Sequence, residues 1–282
     1  MYQLDPDHSS VDQLAQRAAI TYSAAADHYD RPALGFWGRW GEATVSRLSL
    51  TTGDTVLDVC CGAGGSAIPA AGVVGPDGRV LGVDLALPLL ELARAKAARA
   101  RLTNVEFRQG DATRTGLPSG SFDAVVCVFG VFFARDMPAF AAEMWRMVRP
   151  GGKLAITTWG PGWCEPASTI FWDCVREVEP ALYRAFNPWD EITAPEALLT
   201  LFARGGIESS SAEPAAGDHN LDQPEDFWDI VLGSGLRGTV DALQPDQSET
   251  VRDHVLAILS SRSVTSLRTD VVFGSATKPL TP

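Results

Sequence analysis

The stretch Val56-Leu57-Asp58-Val59-Cys60-Cys61-Gly62-Ala63-Gly64-Gly65 constrains this chain more than any other. A short apolar run reads as a buried strand, and it ends in a glycine loop that feeds the helix-forming Ser66-Ala67-Ile68. Glycine lacks the side chain that blocks close approach, so such a loop brings backbone amides up to a ligand. Many nucleotide-binding folds share that loop. The acids around it are more specific. Asp58 precedes the glycines, Asp84 closes Val80-Leu81-Gly82-Val83-Asp84, and Asp111 follows the strand Val105-Glu106-Phe107 in Gly110-Asp111-Ala112.

Strands alternate with helices from about 55 to 159. Strands are expected at 55–60, 79–84, 104–108, 122–129 and 153–159. Helices are expected at about 66–74, 87–101 and 137–148, the last stopped by Pro150-Gly151-Gly152. This alternation predicts an α/β, doubly wound, mostly parallel sheet with ligands at the carboxyl ends of its strands, where all three acids stand. Residues 10–50 read as helical, with Val11, Leu14, Ala15, Ala18 and Ala19 at helical spacing and a loop at Asp27-His28-Tyr29-Asp30. After Gly160 the expected elements are helices at about 167–185, 195–204, 224–233 and 246–261. Strands are expected near 207–214 and at 269–277.

The 282 residues carry a net charge of −12, and 45% of them are hydrophobic. Nucleic acids and anionic membranes call for a basic surface, so neither is expected as a partner. The basic group Arg94, Lys96, Arg99 and Arg101 reads as a solvated helix face, and Asp123 as a solvated strand-start residue. Five irregularly spaced cysteines point to neither a disulfide framework nor a zinc site. Residues 1–20 are polar and acidic, and no apolar run approaches the ~20 residues of a membrane span. The expectation is a soluble, cytoplasmic protein without a metal. Its oligomeric state is left open.

A dinucleotide site explains the glycine loop and one acid, but not Asp58, Gly110-Asp111 or the Pro150-Gly151-Gly152 turn. An S-adenosylmethionine site accounts for all of them. Gly62 to Gly64 can approach the methionine portion, with Asp58 behind to orient the loop or a water at the ammonium. Asp84 suits the ribose hydroxyls and Asp111 the adenine amino group, with Leu85 and Ala112 on either side of the ring.

Taken with Phe122-Asp123-Ala124-Val125-Val126 and Met147-Val148-Arg149-Pro150-Gly151-Gly152-Lys153-Leu154, these motifs resemble a class I S-adenosylmethionine-dependent methyltransferase over residues 54–160. The resemblance is to the ubiquinone/menaquinone-biosynthesis C-methyltransferase group and related bacterial small-molecule methyltransferases. It implies a seven-stranded, Rossmann-like sheet whose last strand, 269–277, runs antiparallel. It implies S-adenosyl-L-methionine as donor and S-adenosyl-L-homocysteine as product. Ala24-Ala25-Ala26-Asp27-His28-Tyr29-Asp30 resembles the group's opening, which lies over the cofactor, so Tyr29 joins the expected cofactor contacts. Two departures stand out. Cys60 occupies a position that is usually glycine, and Ala86 one that is often a capping serine, at a cost of about 1 kcal/mol.

The division expected is a helical N-terminal lid at 1–50 and a methyltransferase domain at 51–282, with helical caps at about 160–195 and 217–265. Methyltransferases acting on amino groups of DNA bases carry an Asn/Asp-Pro-Pro-Tyr/Phe cluster after the fourth strand. This chain has the apolar Val128-Phe129-Gly130-Val131-Phe132-Phe133 there, and its Asn187-Pro188-Trp189 comes after the fifth strand. Ten aromatics, among them Trp37, Trp40, Trp159, Trp163 and Trp189, flank the core, and half are expected to be buried in it. The rest would wall a pocket for a small hydrophobic or aromatic acceptor, with Trp37, Phe129, Phe133, Trp159 and Trp189 as expected contacts. Methyl transfer to carbon or oxygen is the expected reaction. A non-methylating protein of the same fold and cofactor is the alternative. His28, His219 and Glu165 are the expected bases, should one be needed.

Overall fold

Short strands rich in valine, separated by alanine- and leucine-rich helices, build a seven-stranded sheet in the computed structural model, which describes residues 13–280. The helices are α1 (Gln13–Ala25), α2 (Phe36–Arg47), α3 (Ala67–Val74), α4 (Leu87–Arg99), α5 (Met137–Met147), α6 (Ala167–Val178), α7 (Pro195–Arg204), α8 (Glu225–Leu232), α9 (Arg237–Val240) and α10 (Pro245–Ser261). The strands are β1 (Thr55–Val59), β2 (Arg79–Asp84), β3 (Val105–Gln109), β4 (Phe122–Val128), β5 (Val148–Trp159), β6 (Ser210–Ala215), β7 (Asp218–Asn220), β8 (Ser266–Arg268) and β9 (Val271–Thr277).

The sheet order is β3-β2-β1-β4-β5-β9-β6. The first five strands are parallel, and β9 runs antiparallel to both β5 and β6. The chain winds outward from β1 to β3 and then returns to place β4 beside β1. The switch point, where a crevice opens at the carboxyl ends, therefore lies between β1 and β4. Alternation along β1 divides the core. Val56 packs with Leu90, Ala93 and Val126 on one side of the sheet, while Leu57 and Val59 join the larger cluster on the other.

Backbone proximity fixes α2 over the glycine loop. A Cβ on Gly41 would stand 2.3 Å from the Gly65 carbonyl oxygen, and one on Gly65 would stand 3.1 Å from that of Trp37. This contact sets where α2 directs Trp37. Asp123 ties the start of β4 to the start of β1, which corrects the reading of it as solvated. Its carboxylate accepts from the Thr55 amide at 2.8 Å and hydroxyl at 2.6 Å, and pairs with Arg149. Arg94 and Lys96 are not merely solvated either, since they donate to the Phe107 carbonyl and to Asp30.

Beyond β5 the boundaries shift. The helix expected to reach 185 ends at Val178, because Pro180 disfavours helical backbone at Glu179. The small β7–β8 pair is too short and polar to stand out in the sequence. Val11 lies outside the described residues. Among them, all five cysteines are free, no three acids, histidines or cysteines group to hold a metal, and no helix is long and apolar enough to cross a membrane.

Gly41→Ala should destabilise the protein by about 1–3 kcal/mol, the usual cost of overpacking against unyielding backbone. Denaturant unfolding checks this. The neighbouring Gly38, with open space around it, serves as the control position.

Candidate active site

A cavity of about 740 Å³, including its mouth, opens at the switch point. Its floor comes from strand ends and the loops after them: Cys60 and Gly62, then Asp84, Leu85 and Ala86, then Gly110 to Thr113. Val128, Phe129, Gly130 and Phe133 form one wall, and Tyr29 and Trp37 another. Ala15, Ala18, Ala19 and Tyr22 of α1 complete the enclosure.

Asp84 holds the floor together. One carboxylate oxygen accepts from the Gly62 amide at 2.8 Å and the other from the Ala86 amide at 2.8 Å. The second bond occupies an amide at the start of α4 that Ala86, lacking a capping side chain, leaves to others. Burial raises the Asp84 carboxyl above its ordinary range, and the amides of Ala86, Gly62 and Leu85 oppose that rise. Each oxygen keeps a lone pair for a further donor. Asp111 is held by its own turn, accepting from the amide and hydroxyl of Thr113 at 2.8 and 2.7 Å.

Asp58 and Gly64 do not line the cavity. Asp58 is fully buried beneath the loop, where the Ser66 hydroxyl donates to it at 2.7 Å. Its second oxygen has no hydrogen-bond partner among the described residues. Burial pushes this carboxyl up to about 7; the Ser66 hydroxyl opposes the rise, the Asp84 charge adds to it, and the nearby Ala67 amide opposes it. Gly64 has a φ of +82°, and a Cβ there would meet Ile68 at 2.9 Å, so it serves the turn.

Two non-glycine residues at the switch point hold left-handed backbone: Cys60 after β1 and Phe129 after β4, each with a φ of 56°. Such strain concentrates where side chains are directed into a site. Gly130 makes room for Cys60, since a Cβ on Gly130 would lie 2.4 Å from that of Cys60. Phe129 stacks on Trp159 with centroids 3.7 Å apart, and Tyr29 stacks on Trp37 at 5.5 Å with an interplanar angle of 1°.

Of the aromatics assigned to the acceptor, Trp37, Phe129 and Phe133 line the cavity. Trp159 does not: it is 1% exposed and supports Phe129 from behind. Trp189 packs on Phe132 and Trp163, away from the lining. The aromatics are more often core than expected. Trp40, Trp159, Trp163, Phe171, Trp172, Phe227 and Trp228 are all buried. None of His28, His219 or Glu165 reaches the cavity. His28 lies between Asp27 and Asp229, Glu165 accepts from Thr169, and His219 packs against Phe36. The alanine face of α1, together with Tyr22, is the part of the enclosure that residue chemistry did not flag. Its signal was spacing alone, with small residues at 15, 18 and 19 and Tyr22 one turn on.

Residues 56–152 match the methyltransferase domain family. The chain is 35% identical over 152 residues to the demethylmenaquinone methyltransferase of Listeria monocytogenes serotype 4a, covering 52% of this chain and 62% of that one. It is 34% identical over 138 residues to the nocamycin O-methyltransferase of Saccharothrix syringae, covering 49% of each. The match thus spans less than two thirds of either relative. The fold is shared with the [4+2]-cyclase SpnF, at a TM-score of 0.56 and 17% identity over the whole of both chains. Fold alone therefore does not fix the reaction.

The buried Asp58 makes stability depend on pH. Its folded-state value lies above that of the unfolded chain, so the folded protein binds the extra proton and stability falls as pH rises. The fall should run from about pH 4 to about pH 7 and amount to on the order of 4 kcal/mol. Asp58→Asn should flatten much of that slope, leaving the same-signed share of Asp84. An unchanged slope in denaturant titrations across this range would contradict the assignment.

Proposed function

We propose that this chain, whose residues 56–152 are a class I S-adenosylmethionine-dependent methyltransferase domain, transfers a methyl group to carbon or oxygen of a small, largely apolar acceptor. The observation that carries this reading is the convergence of Gly62, Asp84 and Asp111 on one cavity that Tyr29, Trp37, Phe129 and Phe133 also line. The donor set suits the cofactor. Gly62 is bare beside the Asp84 carboxylate, for the methionine end and the ribose hydroxyls. Leu85 and Ala112 offer apolar surfaces to the adenine, with Asp111 at its edge. Asp58 acts from beneath, keeping the glycine loop in place through Ser66.

The cofactor, when bound, supplies a methyl group made electrophilic by its sulfonium. The chain's own residues bind, orient and exclude water. Tyr29, Trp37 and Phe129 surround the space beyond Cys60 and Gly62 with aromatic surface, which favours a flat or apolar acceptor and attracts positive charge. No histidine lines the cavity among the described residues. Positioning therefore carries the rate, an effect worth up to ~7–11 kcal/mol in ideal cases. An acceptor that ionises readily, such as a phenol or an enol, fits a site without a dedicated base. The likeness to a demethylmenaquinone methyltransferase and a nocamycin O-methyltransferase supports a small-molecule acceptor, and the net charge of −12 disfavours nucleic acid.

Formation of S-adenosylhomocysteine on incubation with S-adenosylmethionine and a panel of phenols, quinols and hydroxylated polyketides tests the reading. Methylation of tRNA, DNA or protein with none of the small molecules would overturn it, as would tight cofactor binding without turnover on any acceptor.

Asp84→Asn should weaken S-adenosylhomocysteine at least about tenfold, since bonds to charged groups are worth about 1.5–3 kcal/mol each. Calorimetry reads this, with the melting temperature as control. Trp37→Leu should raise the acceptor KM while leaving cofactor affinity within about threefold, the effect of losing one aromatic contact of about 0.5–1.5 kcal/mol. Equal losses in both affinities would place Trp37 in the framework instead.

A further inference from the structure

The segment that bears Tyr29 is tied down in an unusual way. Asp27 and Asp30 flank the one residue of this turn that enters the cavity, and each is paired to a different element. Asp27 Oδ1 accepts from Arg237 of α9 at 3.2 Å, and Arg237 is itself held by Asp241 at 2.7 Å. His28 Nδ1 lies 2.8 Å from Asp27, and its Nε2 lies 3.9 Å from Asp229 of α8. Asp30 pairs with Lys96 of α4 at 2.5 Å.

The helix this turn follows buries little of its own surface. Ala25 is the only buried residue of α1, and the face it turns to the cavity at 15, 18 and 19 is alanine, which gives up little apolar contact when separated. Near the turn Tyr22 stands edge-on to Phe133 and Tyr29, and Thr21 lies so close to Gly238 of α9 that a Cβ on that glycine would stand 2.8 Å from the Thr21 hydroxyl. A helix of 13 residues with so small an apolar stake is marginal without tertiary support.

We infer that residues 26–30 are an ionic clasp on the pivot of α1, and that its release lets α1 leave the cavity for cofactor exchange. The exchange role rests on the cofactor reading above; the clasp itself does not. The pairs suit a device that must open. Asp27 is 55% exposed and Asp30 36% exposed, so each bond is weak, screened by salt and quickly remade. Together they fix one short turn to α9 and α4, and Tyr29 moves with that turn. Every turnover must load S-adenosylmethionine and discharge S-adenosylhomocysteine past this roof, and gating of that kind often sets the rate.

The test uses the full chain with Asp30→Lys, Lys96→Asp, the charge-exchanged double variant, and Arg237→Gln. Hydrogen exchange is measured without cofactor, and release of S-adenosylhomocysteine by stopped-flow fluorescence. The single variants should raise exchange in 13–30 but not in β1 or β4. They should speed release about three- to tenfold, the factor expected from losing one or two exposed pairs. The double variant should return both readouts toward the unaltered chain. High salt should speed release from the unaltered chain more than from Arg237→Gln. Unchanged exchange in all single variants would overturn the clasp, as would a rise spread evenly over the sheet or a double variant no better than its parents. If exchange responds locally and release does not, the exchange role falls and the clasp stands. If the unaltered chain binds no S-adenosylhomocysteine, the cofactor reading falls, and exchange in 13–30 still decides the clasp.

Discussion

The Asp84 carboxylate, stretched between the amides of Gly62 and Ala86, is the interaction on which the site depends. It joins the loop after β1 to the turn after β2. Remove it and two buried amides lose their acceptor, at about 1–3 kcal/mol each. The glycine loop would also lose its register against α4. The tight approach of Gly41 to Gly65 depends on that register, and so does the direction of Trp37 into the cavity. The floor and one aromatic wall are thus fixed by a single side chain, and the left-handed Cys60 and Phe129 sit on the frame it stabilises.

The same carboxylate sits in an unfavourable electrostatic setting. Asp84 and Asp58 are both raised by burial, and Asp84 raises Asp58 further. Tyr22 and Tyr29 are raised by burial in turn, with Asp84 contributing to each. Acidic groups whose ionisation is disfavoured by burial thus gather in and beneath the cavity of a chain already at −12. Buried acids that repel one another weaken the fold, and proteins retain such arrangements where a ligand of opposite charge relieves them. The proposed cofactor carries an ammonium and a sulfonium. Its positive charge, placed beside Asp84, would favour the ionised carboxylate there.

The floor was legible because it is local. Asp84 and Asp111 close strands whose periodicity is plain, and a ligand position at strand ends follows from topology alone. The enclosure was not. Trp159 and Phe129 are equally good aromatic candidates by composition, yet stacking in depth makes one the lining and the other its support. Trp189 belongs to a second cluster with Phe132 and Trp163, a fact of tertiary packing that no spacing encodes. Asp123 looked like a solvated end because its partners, Thr55 and Arg149, are far away in sequence. His28 looked like a base because histidine next to a cavity residue invites that reading. Its neighbours prove to be the carboxylates of Asp27, in the same turn, and of Asp229 on α8.

These differences follow one rule. Residues whose role is set by strand ends and tight turns keep the position their sequence implies, because backbone geometry leaves them little choice. Residues whose role is set by which surface they face depend on how α1, α2 and the segment from 160 to 265 settle on the sheet. The identity to the demethylmenaquinone methyltransferase covers 52% of this chain. The proposed cofactor calls on the floor, and the proposed acceptor on walls built from small helical faces and stacked aromatics. There a change from Ala18 to a larger residue, or from Phe129 to a smaller one, alters the acceptor's space without touching the Asp84 bridge.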